Sequence, residues 1–117
     1  MIKQSTILYF LLIFVPILIS LGQIFFKLAS RLLTSDFSLY NVMFNRFTIL
    51  SLLIYATATA MWIYILSKMD LARAYPFSGL TFALVPLFSH LFFNENIGKL
   101  YFLGIIFISL GVILCQL

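Results

Sequence analysis

Four long apolar stretches, separated by short groups of polar and charged residues, make up nearly the whole chain. The stretches free of Asp, Glu, Lys and Arg contain 23, 21, 21 and 18 residues. They are bounded by Lys3 and Lys27, by Arg46 and Lys68, by Arg73 and Glu95, and by Lys99 and the last residue. A helix that spans a bilayer needs about 20 mostly apolar residues. The pattern therefore predicts four transmembrane helices, at about residues 5–29, 46–67, 73–93 and 99–116.

The stretches are apolar on every face rather than alternating, which excludes the strands of a membrane barrel. Hydrophobic residues make up 64% of the chain and charged residues 9%, with a mean hydropathy of +1.18. A soluble domain has about 25% charged residues. We therefore predict an all-α integral membrane protein, with residues 1–117 forming a single four-helix transmembrane domain joined by short loops.

The connections leave no room for a soluble domain. The longest runs from Ser30 to Asn45 and carries residues typical of turns and helix caps, namely Thr34, Ser35, Asp36, Ser38 and Asn41. We find no metal-ligand cluster, phosphate-binding loop or nucleophile motif, so we expect neither a metal, a cofactor nor an enzymatic activity. The first apolar stretch is too long for the core of a signal peptide. The lone Cys115 excludes an intrachain disulfide and is expected to be a buried apolar residue.

The net charge of +4 does not indicate a nucleic-acid partner, because the basic residues lie at the ends of the spans, where lipid headgroups are. One membrane side would hold three basic residues and the other four. The first set is Lys3, Lys68 and Arg73, and the second is Lys27, Arg31, Arg46 and Lys99. With so even a distribution, the positive-inside rule does not orient the chain.

Polar residues of the first span are the first functional candidates, because polar groups at membrane depth are costly. Pro16, Ser20, Gln23 and Lys27 follow one another at steps of four, three and four, and so share a helical face. We expect a kink at Pro16 and a stripe that faces a partner helix or a wet cavity. Alternatively, Lys27 only extends to the headgroups from the helix end.

The third span is the most interrupted by proline and glycine. One face of this span is predicted to line a transport path. Its residues are Tyr75, Ser78, Gly79, Phe82, Pro86, Ser89 and His90. The alternatives are an interfacial aromatic anchor for Tyr75 and a hydrogen-bonded histidine between helices for His90.

An up-and-down arrangement would gather charges at one end of the helices. These are Lys27, Arg46, His90, Glu95 and Lys99, which suit a phosphate headgroup or form a rim that only anchors the helices. In the fourth span, Gly104 and Gly111 lie seven residues apart on one face, which suits a contact between subunits.

Four segments resemble the small transporters of the drug/metabolite transporter superfamily, in the same order and over nearly the whole chain. They are residues 22–27 (GQIFFK), 72–78 (ARAYPFS), 92–95 (FFNE) and 104–112 (GIIFISLGV). They are similar, respectively, to a GQ…K segment, an AYP signature, an F-G-E segment and a G-x₆-G-V segment. Two branches share this outline: the small multidrug resistance transporters and the EamA-like proteins that include subunits of the aminoarabinose-phosphoundecaprenol flippase.

Ile19 discriminates between the branches. Multidrug transporters carry a glutamate three residues before the glycine, where this chain has Ile19. The resemblance thus favours the flippase branch, in which a homodimer or heterodimer moves a polyprenyl-phosphate-linked sugar across the inner membrane. In that interpretation Lys27 meets the phosphate, Gln23 and Tyr75 the headgroup, and Glu95 a positive group of the substrate or partner.

Arg46, Ser78 and His90 complete the predicted substrate-binding set, and Gly104 and Gly111 the subunit contact. Two alternatives stay open at this point. One is a cation/proton antiporter of the multidrug type, and the other is an assembly subunit that transports nothing itself.

Overall fold

A computed structural model describes the backbone of residues 2–33 and 38–117, with side chains from residue 5 onward. The first span is α1, Ile2–Leu32, and the second is α3, Arg46–Lys68. The third span comprises three consecutive helices: α4 (Leu71–Ala74), a 3-10 helix (Tyr75–Leu80) and α5 (Thr81–Phe93). The fourth span is α6 (Lys99–Gln116). All four are long and apolar enough to cross a membrane. The described residues contain no strand, which confirms the predicted all-α membrane fold.

Helix α1 lies at the centre of the molecule. It packs against α3 on one side and against α5 and the 3-10 helix on the other, whereas α6 packs against the 3-10 helix and α5. The buried core forms where α1, α3 and the start of the third span meet, and comprises Leu12, Val15, Ala58, Ile65 and Ala74. Because α6 lies at the edge of this arrangement, most of its surface is exposed, and Cys115 is exposed as well. The expectation that Cys115 is buried was wrong.

Helix α1 continues without interruption through Pro16. Pro16 and Ser20 are buried, and the Ser20 hydroxyl donates to the Pro16 carbonyl at 2.7 Å. Ser20 therefore faces neighbouring helices, and its hydroxyl is satisfied within α1 rather than by a wet cavity. Of the predicted polar stripe, Gln23 and Lys27 are the exposed members.

A short helix, α2, spans Leu39–Met43 within the connection that the sequence analysis treated as a loop. Ser38 caps it, its hydroxyl accepting from the Asn41 backbone N–H at 3.2 Å. The predicted turn residues Thr34, Ser35 and Asp36 lie outside the described residues. Helix α2 is too short for its apolar period to be recognised in the sequence.

The 3-10 helix follows from the residues that form it. Pro76 lacks a backbone N–H and favours the first turn of a helix. Ser78 and Thr81 each donate a hydroxyl to the carbonyl three residues earlier, at 2.6 and 2.8 Å. These bonds satisfy carbonyls of the tighter turn and leave α5 to begin at Thr81.

Side-chain contacts join α1, α3 and α5 near the C-terminal end of α1. Asn45 caps α3, accepting from the Phe47 N–H at 2.9 Å, and donates to the Ala29 carbonyl of α1 at 3.1 Å. The Arg31 guanidinium lies 4.3 Å from the centre of the Phe93 ring at the end of α5. The ends of α1 and α5 therefore lie beside the start of α3.

Candidate functional site

A polar cavity of about 400 Å³ lies between α1, α5, the segment after α5 and the start of α6. We call it the polar cavity, and its lining includes Gln23, Phe82, Pro86, Ser89, Glu95 and Tyr101. Phe82 and Tyr101 are also exposed on the outer surface, at 64% and 50%. The cavity is therefore open at the protein surface.

Gln23 is fixed in the cavity wall by α3. Its amide Nε2 donates to the Tyr55 hydroxyl at 2.5 Å, and Tyr55 is held from the other side by the Phe26 ring at 5.4 Å between ring centres. The buried Ser51 hydroxyl, one turn earlier on α3, donates to the Gly22 carbonyl at 2.7 Å. Two polar bonds thus join α1 to α3 at membrane depth, where few competing partners exist.

Glu95 enters the cavity because the chain reverses direction after α5. Asn94 ends α5 in the left-handed conformation, with φ 54°, and its N–H bonds to the His90 carbonyl. The Ser89 hydroxyl then donates to the Glu95 carboxylate, and Nδ1 of His90 lies 2.9 Å from the Glu95 carbonyl. Glu95 is the only carboxylate among the described residues that line this cavity.

Pro86 adds a backbone acceptor to the same wall. Proline has no N–H, so the Phe82 carbonyl, four residues earlier, lacks its usual helical partner. Both residues line the polar cavity. An unpaired carbonyl at membrane depth is tolerated where it borders a cavity and is available to a polar ligand.

The predicted cations lie around the cavity rather than in it. Lys27 is exposed one helical turn beyond Gln23 and does not line the cavity. Arg46 lies in a separate surface groove beside α2, with its guanidinium 5.0 Å from the centre of the Phe47 ring. Lys99 is exposed at the start of α6. His90 is exposed and contacts the chain segment that carries Glu95, outside the cavity lining.

A second cavity of about 270 Å³ holds the other predicted site residues. Tyr75 and Ser78 line it, whereas Gln23, Ser89 and Glu95 line the polar cavity. We call it the aromatic cavity, and its lining includes Tyr55, Ala58, Thr59, Trp62, Tyr75 and Ser78. The face of the third span that was predicted to line one path therefore borders two separate cavities.

Glycines of the last two spans have different surroundings. Gly79 packs against α6, since a Cβ there would lie 3.3 Å from Cγ2 of Val112, so it does not face either cavity. A Cβ at Gly104 or Gly111 would meet nothing within 4 Å. The surface around these two glycines is open within the single chain, and the subunit contact stays a prediction.

Tyr55 and Trp62 line the aromatic cavity but were not among the predicted site residues. Both lie in α3, where the sequence analysis named no candidate besides Arg46. The spacing of seven places Tyr55 and Trp62 on one helical face, which is the signal that could have found them. The described residues contain no group of three or more His, Cys, Asp or Glu able to hold a metal ion.

Comparison with known proteins gives one consistent set of relatives. The chain is 30% identical over 106 residues to the probable 4-amino-4-deoxy-L-arabinose-phosphoundecaprenol flippase subunit ArnE of Hamiltonella defensa subsp. Acyrthosiphon pisum, covering 91% of this chain and 93% of the relative. It is 31% identical over 112 residues to the protein of the same description from Pectobacterium atrosepticum, covering 92% and 96%. The Pseudomonas savastanoi pv. phaseolicola counterpart is 39% identical over 51 residues, covering 44% and 45%. No family model and no solved structure matches the chain.

Proposed function

The chain belongs to the family of ArnE flippase subunits, and from that premise we propose that it is one subunit of a flippase for a polyprenyl-phosphate-linked sugar. The sugar that its relatives' names specify is 4-amino-4-deoxy-L-arabinose, carried on phosphoundecaprenol. The multi-pass architecture places the chain in a membrane, and we propose the inner membrane. The proposal rests above all on the polar cavity, which is open at the surface of the spans and is lined by one carboxylate.

A lipid-linked sugar has an apolar tail and a charged, hydrogen-bonding head. The cavity has exposed aromatic rings for the tail and polar groups for the head. The exposed rings of Phe82 and Tyr101 at the cavity wall allow a polyprenyl tail to remain among the lipid chains. The head can then enter between α1 and α5, where Gln23 and the Phe82 carbonyl supply hydrogen-bonding groups. The tail never has to leave the bilayer, so only the polar head crosses.

An amino-sugar phosphate carries one positive and one negative group, and this end of the helices offers a partner for each. The Glu95 carboxylate, which already accepts from Ser89, can pair with the ammonium of the sugar by a charge-assisted hydrogen bond. Lys27, one turn beyond Gln23 and exposed at the end of α1, can pair with the phosphate near the headgroup level. A cation and an anion placed this way would orient the head on entry.

Proton-coupled export of cationic drugs fits the structure less well. Ile19 stands where that branch carries its glutamate, and it lines both the polar and the aromatic cavity. The three acidic residues of the chain, Asp36, Asp70 and Glu95, all lie outside the four spans. The centre of the path therefore carries no carboxylate to exchange a proton for a cation.

The proposal is tested by removing the charge of Lys27 while keeping its stem. Lys27→Met and wild type are reconstituted with the partner subunit in vesicles, and flipping of aminoarabinose-phosphoundecaprenol is measured beside binding of undecaprenyl phosphate. We expect Lys27→Met to insert normally and to lose about tenfold or more in binding, because a charge-assisted hydrogen bond contributes about 1.5–3 kcal/mol. Lys27→Arg should retain part of the binding affinity, because it keeps the positive charge.

Arg46→Met is the matched control, because Arg46 lies at the same end of the helices but in the groove beside α2. It should change binding by no more than about twofold, as expected for a surface charge. A Lys27→Met protein that is well expressed and fully active would show that Lys27 serves only as a headgroup anchor. The phosphate would then have to be met by Arg31, Arg46 or Lys99.

A further inference from the structure

The aromatic cavity has a chemistry different from that of the polar cavity. It lies between α1, α3 and the 3-10 helix, towards the end of α3 opposite to Arg46. The rings of Trp62 and Tyr75 meet nearly edge to face, at 66° with 6.5 Å between their centres. Tyr55 forms a third aromatic wall, and none of the described residues that line the cavity carries a formal charge. Its ligand should therefore have an apolar face to place against the rings.

The Ser78 and Thr59 hydroxyls supply acceptors to this cavity. The Ser78 hydroxyl donates to the Tyr75 carbonyl at 2.6 Å, and the Thr59 hydroxyl donates to the Tyr55 carbonyl at 2.7 Å. Each hydroxyl oxygen keeps lone pairs that can accept from a ligand. The Tyr55 hydroxyl accepts from Gln23 and keeps its own proton to donate. Trp62 and Tyr75 each carry a further donor, so the cavity offers both donors and acceptors beside aromatic faces.

A sugar ring combines the same features, since its C–H face is apolar and its edge carries hydroxyl groups. The volume of about 270 Å³ is just below the range of pockets for drug-sized ligands, and suits a single ring rather than a ring with its lipid tail. We infer that the aromatic cavity is a second binding site for the sugar ring of the substrate. This inference rests on the proposed function and adds a site in the other half of the membrane.

The Gln23–Tyr55 hydrogen bond joins the walls of the two cavities. Gln23 lines the polar cavity, Tyr55 lines the aromatic cavity, and Ile19 borders both. The Gln23–Tyr55 bond therefore lies between the two proposed positions of the sugar. A head that leaves Glu95 reaches the aromatic cavity by passing this bond, and the Tyr55 hydroxyl is the first polar group that it meets there.

Trp62 makes the inference directly measurable, because it is the only tryptophan in the chain. The full-length protein in nanodiscs is titrated with two short-chain polyprenyl phosphates, one carrying 4-amino-4-deoxy-L-arabinose and one without sugar. Both are expected to bind through the phosphate, as followed by a thermal-stability shift. Only the sugar-bearing lipid is expected to change the Trp62 emission.

Tyr75→Leu tests the aromatic wall, and Tyr64→Leu is its control. Tyr64 lies in α3, with its ring centre 6.0 Å from Nζ of Lys68, and it lines neither cavity. We expect Tyr75→Leu to weaken binding of the sugar-bearing lipid about two- to tenfold, since one aromatic contact is worth about 0.5–1.5 kcal/mol. Binding of the bare lipid should stay the same in both variants. Ser78→Ala is a smaller change and should weaken binding of the sugar-bearing lipid only. It tests the site even if Tyr75→Leu fails to fold.

The outcomes separate the two proposals. If both lipids bind equally and the Trp62 emission does not respond to the sugar, the aromatic cavity is not a sugar site, while the flippase proposal stands. If neither lipid binds even after the partner subunit is added, the proposed function is rejected together with the inference. An emission change that persists at full affinity in Tyr75→Leu would also overturn the site.

Discussion

The phenol ring of Tyr55 lies directly against the backbone of Gly22. A Cβ built on Gly22 would lie 2.5 Å from Cε2 and 2.9 Å from Cδ2 of Tyr55, closer than real side chains approach one another. Only glycine at this position allows α1 and α3 to come so close. The close approach also brings Tyr55 within hydrogen-bonding distance of Gln23, the next residue of α1.

Gly22→Ala is therefore expected to push α3 away from α1 or to displace the Tyr55 ring. We expect a loss of about 1–3 kcal/mol in the free energy of unfolding, the usual cost of overpacking. Thermal melting of the detergent-solubilised protein would measure it. Gly98→Ala is the matched control, because a Cβ there meets nothing within 4 Å. Equal melting temperatures for Gly22→Ala and wild type would show that the helices separate at little cost.

The open surface around Gly104 and Gly111 leads to a second prediction. Because nothing lies within 4 Å of either position, Gly104→Leu and Gly111→Leu should leave the single chain folded. If this face of α6 contacts another subunit, both variants should lower the yield of crosslinked dimer severalfold. Ile113→Phe adds bulk to the opposite face of α6 and serves as the control. Undiminished dimer in both glycine variants would place the subunit contact elsewhere.

Ile19 gives a prediction about energy coupling. Vesicles that contain the protein and its partner, with an imposed pH gradient, should export no quaternary ammonium dye above the rate of empty vesicles. The reason is that no carboxylate lies within the spans to exchange protons for cations. Collapsing the gradient with an ionophore should change nothing. Export that follows the gradient would instead support an antiporter of the multidrug type.

The sequence predicted the helical spans well, because long uncharged stretches have few other stable structures in lipid. It also predicted the family, through four short segments in the right order, and the comparisons confirmed it. It could not show that Tyr75 and Glu95 border different cavities. Helical periodicity places residues on a face, but it does not show how neighbouring helices divide that face.

The surroundings of Tyr55 could not be predicted from the sequence either. Within an apolar helix, a tyrosine is ordinarily read as a residue that faces lipid or the core. Its role depends on Gly22 and Gln23, 33 and 32 positions earlier in the chain, and nothing local to α3 records that proximity. The Cys115 expectation failed for a related reason, because burial depends on where α6 lies in the bundle.

Helix α2 carries aromatic residues suited to the membrane interface. Its Tyr40 and Phe44 rings are exposed and lie 4.7 Å apart between centres, and tyrosines gather at the boundary between lipid chains and headgroups. Asn45 follows immediately and is bonded to Ala29, so that boundary lies level with residue 29 of α1. Lys27 is two residues earlier, about 3 Å further into the membrane along the helix axis. Lys27 thus lies on the lipid-chain side of that boundary, and its long side chain can extend outward to the phosphates of that leaflet.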